Sequence, residues 1–513
     1  MNNWLWIVKN QRDVIVIMDK RNQNKTHVIK KLFATGRDNQ AIFKLVPLFV
    51  RALKSHEKHL PQEILNNYLN SLLQKKEIFL KSAYQFGTPQ YFFDEPSLSL
   101  QISHFHKVFS RHLDRYRIFY ALKSNSFEGI CKSAVAAGIG LDVSSGFELK
   151  AALSMGCKHI IFSGPGKTDD ELLLAIQNRQ NVTLLMDSMG EFERLSNILK
   201  QEEGHGDTMK VGIRVHGSND NGWNKFGIPL GKLPVILKKA MIAKDVEIHA
   251  IQFHASWNLG PKAQINMIEQ IGSYIRQYIP MNLMQSFQVL DIGGGFWPEQ
   301  GEWLNPQNTL KGKLIQLTDP GFGFKIRHYY HKAKPIEDFA REIAKALSRQ
   351  GPPLSDVEIW MEPGRWISTP AMHILLRVVD KKDFRTAITD GGTNLLGWER
   401  PLSEFIPVVN LTRPSLKERR LKIFGSLCTP YDIWGISIFG EGVESGDILL
   451  IPDQGAYTYS LRQSFIKPIA KVVAFDGENF VETEQENSFS LPPRYPFKDG
   501  KTGSAGEEGL WNS

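Results

Sequence analysis

Lys123 closes the run Phe119-Tyr120-Ala121-Leu122-Lys123-Ser124-Asn125, an apolar, strand-like stretch with a turn-forming Ser-Asn pair behind it. A strand end of this kind displays an amine while taking part of its stem out of water, and partial desolvation favours the neutral, nucleophilic form. Such a lysine can condense with an aldehyde as a Schiff base. Other groups with chemistry to offer follow in chain order. They are Asp142 in Gly140-Leu141-Asp142-Val143, His254, the triplet Gly293-Gly294-Gly295, Glu362 in Glu362-Pro363-Gly364-Arg365, Cys428 with Asp432, and Tyr457 in Gly455-Ala456-Tyr457. Three successive glycines after the apolar residues 289–292 leave backbone N–H groups room to approach an anion such as a phosphate. Taken singly, each group also has a plain structural reading: a solvated lysine, a strand-end histidine or carboxylate, a glycine turn. Their joint order carries the information.

The elements that must position these groups are legible as a repeating pattern. Strand-like apolar runs at 118–122, 159–163, 182–186, 211–215, 248–253, 289–292 and 358–361 alternate with helical patterns. Such alternation over some 250 residues predicts βα units closing into a (β/α)8 barrel of TIM type, whose active sites lie at the C-terminal strand ends. Lys123, His254, the glycine triplet and Glu362 each follow a run directly. Ahead of the barrel, Gly87-Thr88-Pro89 turns into an aromatic-rich strand. After Pro370 the chain changes to strands and turns without long helices. The α/β chain therefore divides into a basic N-terminal extension (1–81), a strand and helix that join the later β domain (82–115), the barrel (116–375), the β domain (376–482) and a polar, Gly-rich, mobile tail (483–513). The extension holds a short strand at 14–18 and helical patterns at 41–54 and 64–80.

This ordered set resembles the fold-type III pyridoxal-phosphate decarboxylases, the group of ornithine, arginine and diaminopimelate decarboxylases, over about residues 86–480. The resemblance implies a TIM barrel of alanine-racemase type, a C-terminal β-barrel domain, pyridoxal 5'-phosphate as cofactor, and decarboxylation of an amino acid through a Schiff base at Lys123. It assigns Glu362 to the pyridine nitrogen, His254 to stacking on the ring, Asp142 to the cofactor's surroundings, and Gly293, Gly294, Gly295, Gly364 and Tyr457 to the phosphate cup. Cys428 is the candidate acid that returns a proton to the α-carbon or assists product release. In the family this cysteine reaches the neighbouring subunit's active site, so a homodimer with shared sites is implied.

Asp390-Gly391-Gly392-Thr393-Asn394 with Arg400-Pro401 is closer to the diaminopimelate branch, in which arginines matching Arg365 and Arg400 bind substrate carboxylate. Two departures stand out. Cys428 is followed by Thr429 rather than an acidic residue, leaving Thr429 and Asp432 to face the substrate. His254-Ala255-Ser256-Trp257 also moves the family's hydroxyl one place. Either Ser256 takes over a phosphate contact through a backbone shift, or Trp257 reshapes the pocket. The expected substrate is diaminopimelate-, ornithine- or lysine-like, including larger, modified, carrier-tethered or D-configured forms.

A racemase on the same fold shares the early steps, and a non-catalytic relative that binds a partner through residues 1–80 is a third reading. The intact Lys123, Glu362 and Cys428 favour the decarboxylase. Three cysteines make no disulfide framework and no metal-ligand spacing, and no apolar stretch approaches the roughly 20 residues of a membrane helix. A cytoplasmic protein without metal is expected. The net charge of +8 sits in the first 80 residues, with 14 Lys or Arg against 6 Asp or Glu, leaving the other 433 balanced at 48 of each. With no nucleic-acid motif there, the charge reads as a solvated helical face.

Overall fold

The computed structural model describes residues 4–9, 13–19 and 57–483, apart from 202–207, 218–224, 244, 285–286, 319–322, 324 and 398–403. Residues Trp4–Lys9 and Asp13–Asp19 form an antiparallel hairpin that includes the expected strand at 14–18. The expected helix at 41–54, Arg400 and the tail after 483 lie outside the described residues.

The helical pattern at 64–80 forms two helices that break at Lys75, α1 (Gln62–Gln74) and α2 (Lys76–Phe86). Leu65, Leu69 and Leu72 line one face of α1 and Phe79 and Ala83 one face of α2. Their three- and four-residue spacing makes an apolar stripe, which buries against Phe92, Leu375 and Leu450. Next come β1 (Gln90–Asp94) and α3 (Glu95–Phe109). Asp94 caps α3 by accepting from the Ser97 N–H at 3.1 Å, and Lys75 donates to its other oxygen at 2.6 Å. The junction of the appended helices is thereby tied to the start of α3.

Eight strands follow: β2 (Tyr116–Ala121), β3 (Gly140–Val143), β4 (Ile160–Phe162), β5 (Val182–Met186), β6 (Met209–His216), β7 (Val246–Gln252), β8 (Val289–Asp291) and β9 (Glu358–Met361). Each pairs in parallel with the next and β9 pairs with β2, so the sheet closes as a (β/α)8 barrel. Phe119, Ile161, Leu185, Ala250, Val289 and Trp360 form a cluster of their own, drawn from six of the strands. Side chains alternate faces along a strand, so two residues further on the same face is presented again. That step leads from Ile161 to Ser163, Ala250 to Gln252, Val289 to Asp291 and Trp360 to Glu362, and by the same period from Gly140 to Asp142 and from Phe119 through Ala121 to Lys123. An apolar layer is thus capped at the C-terminal end by a polar one.

The second sheet is built from β10 (Met372–Asp383), β11 (Thr386–Thr389), β12 (Val409–Asn410), β13 (Glu418–Phe424), β14 (Ile433–Phe439), β15 (Ile448–Ile451), β16 (Lys471–Phe475) and β17 (Phe480–Thr483), together with β1. The order β10–β11–β13–β14–β12–β15 returns to β10 and closes a small barrel, and β1, β16 and β17 continue from β10. β10 runs across residue 376, so no break in the chain separates the two barrels. A third, three-stranded sheet joins Glu302–Leu304, Tyr329–His331 and Lys58–His59. Among the described residues no helix is long and apolar enough to cross a membrane, and no group of His, Cys, Asp and Glu could hold a metal ion.

Candidate active site

Lys123 stands one residue into a single helical turn, Leu122–Ser124, at the end of β2. Its Nζ donates to Oδ2 of Asp142 at 2.6 Å, and the other Asp142 oxygen accepts from the Ser163 hydroxyl at 2.6 Å. Asp142 is fully buried. Burial opposes the charge of Lys123, but the Asp142 carboxylate at contact distance and Glu362 beyond it outweigh that effect and hold the lysine above its ordinary range. The expectation that desolvation lowers this amine is therefore reversed, because a buried carboxylate shares its site.

Glu362 is buried at the end of β9. Gln252 donates to its Oε1 at 3.2 Å, and Nδ1 of His254 lies 3.3 Å from Oε2. Burial works against its charge, yet His254 and Lys123 together pull it down to about 2. Asp291 behaves oppositely: burial first, and Glu362 beside it, push its carboxyl well up. One of its oxygens accepts from the Gly293 N–H at 2.9 Å. The two neighbouring carboxyls are thus shifted in opposite directions, Glu362 down and Asp291 up. Asp291 was not among the residues picked from the sequence, although an ionisable residue inside the apolar run before the glycine triplet was a visible signal.

The triplet is pressed against the strand ends. A Cβ on Gly293, Gly294 or Gly295 would lie 2.5, 2.3 or 2.1 Å from the carbonyl oxygens of Phe253, Glu362 and Ala255, and Gly293 and Gly295 have φ of +66° and +78°. Only glycine fits such close approach and left-handed backbone. The amide of Gly294 lies 3.2 Å from Nδ1 of His254, so the amides of Gly293 and Gly294 face Asp291 and His254. Gly364 is also close-packed, its Cβ position 2.8 Å from the Ser124 side chain.

Tyr457, at φ +55°, donates its backbone N–H to Ser124 O at 2.6 Å, and Asn125 donates to Gly455 O at 3.0 Å. The small barrel thereby docks its Gly455-Ala456-Tyr457 loop onto the Lys123 turn. The Arg365 guanidinium lies 4.4 Å from the centroid of Trp297, 4.9 Å from Tyr457 and 5.9 Å from Trp257. Trp257, 61 % exposed and at φ +58°, stacks on Trp297. Of the two alternatives at the altered His254 motif, this arrangement has the tryptophan joining a cage around Arg365, while Ser256 is exposed.

Cys428 is exposed and Thr429 half-buried on the loop between β13 and β14. Asp432 does not face outward with them. It is 1 % exposed, and its carboxylate accepts from the amides of Leu427 and Thr393, each at 2.7 Å, and from the Thr393 hydroxyl at 3.1 Å. A carboxylate so fully used fixes the base of the loop.

A family model described as pyridoxal-dependent decarboxylase, pyridoxal binding domain, matches residues 99–369. The diaminopimelate decarboxylase of Methanothermobacter thermautotrophicus is 26 % identical over 433 residues, covering 80 % of this chain and 92 % of that one. The 2-[(L-alanin-3-ylcarbamoyl)methyl]-2-hydroxybutanedioate decarboxylase of Staphylococcus aureus is 23 % identical over 376 residues, covering 67 % and 84 %. Among solved structures, diaminopimelate decarboxylase from Helicobacter pylori complexed with L-lysine shares the fold with a TM-score of 0.63 at 22 % identity, covering 79 % and 95 %.

Proposed function

The chain belongs to the pyridoxal-dependent decarboxylases, and from that membership we propose that it removes the α-carboxyl group of a diaminopimelate-, ornithine- or lysine-like amino acid, with Lys123 holding the cofactor. Pyridoxal phosphate is the cofactor of this carboxy-lyase family. The residues present suit it. The tight glycine loop packs on residues 253–255 and on Glu362, Gly364 packs on Ser124 of the Lys123 turn, and the lowered carboxyl of Glu362 suits a cationic ring nitrogen as donor. When bound, pyridoxal phosphate supplies the electron sink for the pair left behind as carbon dioxide departs.

The observation that carries the proposal is the ion pair of Lys123 with buried Asp142 beside the ionised Glu362, all at the C-terminal end of one barrel. The Asp142 contact orients Lys123 for the cofactor, and burial pushes the Asp142 carboxyl itself up, so the two can share a proton at this position. His254 and Gln252 orient Glu362, and Arg365 with Tyr457 stands where the phosphate or a substrate carboxylate can be met. The homodimer belongs to the same proposal, since an exposed thiol on the β13–β14 loop can act at this site as Cys428 of the partner subunit.

The test is carbon dioxide release by the purified full chain with pyridoxal phosphate, over L- and D-amino acids including ornithine, lysine, arginine and meso-diaminopimelate. Release from at least one substrate, abolished in Lys123→Ala, is expected. Loss of optical rotation without carbon dioxide would instead establish a racemase.

A further inference from the structure

The Lys123 turn rests on a loop that the appended helices reach. Residues 452–457 follow β15 and end on Tyr457, whose N–H donates to Ser124 O at 2.6 Å, while Asn125 donates to Gly455 O at 3.0 Å. The loop is held in an unfavourable shape. Asp453 and Tyr457 both have left-handed backbone, at φ +56° and +55°, and a Cβ on Gly455 between them would collide with Ser368 O. Non-glycine residues keep such angles only where their surroundings impose them. At the Tyr457 end the Lys123 turn supplies that constraint. At the Asp453 end, Tyr68 and His373 contribute it.

Tyr68 of α1 donates its hydroxyl to Oδ2 of Asp453 at 2.7 Å, and the Asp453 N–H donates to Nδ1 of His373 on β10 at 3.1 Å. Tyr68 is itself fixed. It lies on the same face of α1 as Leu65, Leu69 and Leu72, packs against their cluster, and meets the Trp303 ring edge-on at 5.0 Å. The helix pair is anchored in turn. Lys75 donates to Asp94 at 2.6 Å, Ser82 donates to the Gln90 side chain at 2.7 Å, and Phe79 lies 5.0 Å from Phe92 and 5.2 Å from His373. The Tyr68–Asp453 contact forms in the wall of a cleft that Glu302, Glu404 and Gln454 also line. Both of its ends fall outside residues 99–369, the span matched by the pyridoxal binding domain.

A hydroxyl that donates to a carboxylate makes a stronger bond than one between neutral groups. What it holds is passed on along a short, fully tied path. The Gln454 N–H donates to Met372 O at 2.6 Å and the Gly455 N–H to Thr369 O at 3.1 Å, so a displacement at Asp453 meets little slack before Tyr457. We infer that Tyr68 is a positioning residue of the active site. Its hydroxyl, through Asp453, keeps the Gly455-Ala456-Tyr457 loop on the Lys123 turn in the shape that accepts pyridoxal phosphate. The appended helices then work as part of the site. The inference rests on the decarboxylase reading, with its cofactor at Lys123.

The test compares wild type, Tyr68→Phe and Leu65→Ala as full chains, by absorbance titration with pyridoxal phosphate and by unfolding in urea. Tyr68→Phe removes one oxygen and keeps the ring against Trp303, whereas Leu65→Ala loosens the same helix by a cavity and keeps the hydroxyl. Tyr68→Phe is expected to raise the Kd for pyridoxal phosphate about tenfold with the smaller loss of urea stability. Leu65→Ala should lose more stability yet keep its Kd within about threefold of wild type. A double-mutant cycle locates the effect: Asp453→Gly keeps the left-handed angle and removes the acceptor, and in that background Tyr68→Phe should change Kd by less than about twofold. A Kd for Tyr68→Phe within about threefold of wild type, an equal rise in Leu65→Ala, or a rise undiminished in the Asp453→Gly background would overturn the assignment. A second measurement needs no cofactor: amide hydrogen exchange of the peptide spanning 453–459, expected to be faster in Tyr68→Phe. If wild type binds no pyridoxal phosphate, the decarboxylase reading fails and exchange decides alone. Faster exchange upholds the hold of Tyr68 on the loop; unchanged exchange overturns it.

Discussion

Glu362→Gln is the perturbation whose size follows most directly from the structure. The amide keeps the shape and the Gln252 contact at 3.2 Å but removes the charge. Glu362 is pulled from an ordinary 4.5 to about 2 by His254 and Lys123 against the opposing effect of burial. At about 1.4 kcal/mol per pKa unit, that shift reflects roughly 3 kcal/mol favouring the ionised form. A cationic ring nitrogen held by Glu362 would gain a charge-assisted hydrogen bond worth roughly 3 kcal/mol, and a neutral amide cannot supply it. A loss of roughly 3 kcal/mol in the transition state corresponds to about a hundredfold in kcat. The assay pairs carbon dioxide release under saturating substrate with a pH titration of the bound cofactor's absorbance. The expected result is a kcat about a hundredfold lower and a ring that loses its proton at lower pH. A kcat within threefold of wild type, with the titration unchanged, would refute the role given to Glu362.

Three other outcomes are expected. Gly295→Ala places a methyl 2.1 Å from Ala255 O at φ +78°, so the loop must move, and the Kd for pyridoxal phosphate should rise at least about tenfold. Lys167→Met breaks a buried pair in which Nζ donates to Glu191 at 2.8 Å and to the carbonyls of Gly164 and Leu185. It should lower unfolding free energy in urea by about 3–5 kcal/mol, while the double change Lys167→Met/Glu191→Met recovers part of the loss. His373 lies against Phe79 and Phe92 and accepts from the Asp453 amide at 3.1 Å, and burial holds it down to about 4. Below pH 6.5 the unfolded chain takes up a proton that the folded chain refuses, so stability is lost as pH falls from about 6.5 towards 4. The loss through this group is roughly 2 kcal/mol by pH 5, and His373→Gln should flatten that slope in urea unfolding.

The sequence discloses the layer at the barrel mouth because it obeys the two-residue period of a strand. Lys123 and Glu362 directly follow apolar runs and were legible, whereas Ser163, Gln252 and Asp291 lie within the runs at 159–163, 248–253 and 289–292 and were not singled out. β3 is less visible, since Gly140-Leu141-Asp142-Val143 carries a glycine and a carboxylate in four residues and has no apolar run. The charge state of Lys123 is hidden for another reason. Its partner is 19 residues away, and only barrel closure brings the two together. The inward turn of Asp432 depends on amides at Thr393 and Leu427, one of them across the β domain. The cleft lined by Tyr68, Glu302, Glu404 and Gln454 draws them from four distant stretches, and no spacing rule connects them. The altered His254-Ala255-Ser256-Trp257 motif was visible as an anomaly, but its cage needed the position of Trp297 and Arg365.

The most direct test of the central claim is reductive trapping. Full chain loaded with pyridoxal phosphate is treated with borohydride, digested, and its lysine peptides are weighed by mass spectrometry. The account expects one phosphopyridoxyl adduct, on Lys123, lost in Lys123→Ala. An adduct on a different lysine, or none at all from protein with bound cofactor, would contradict it.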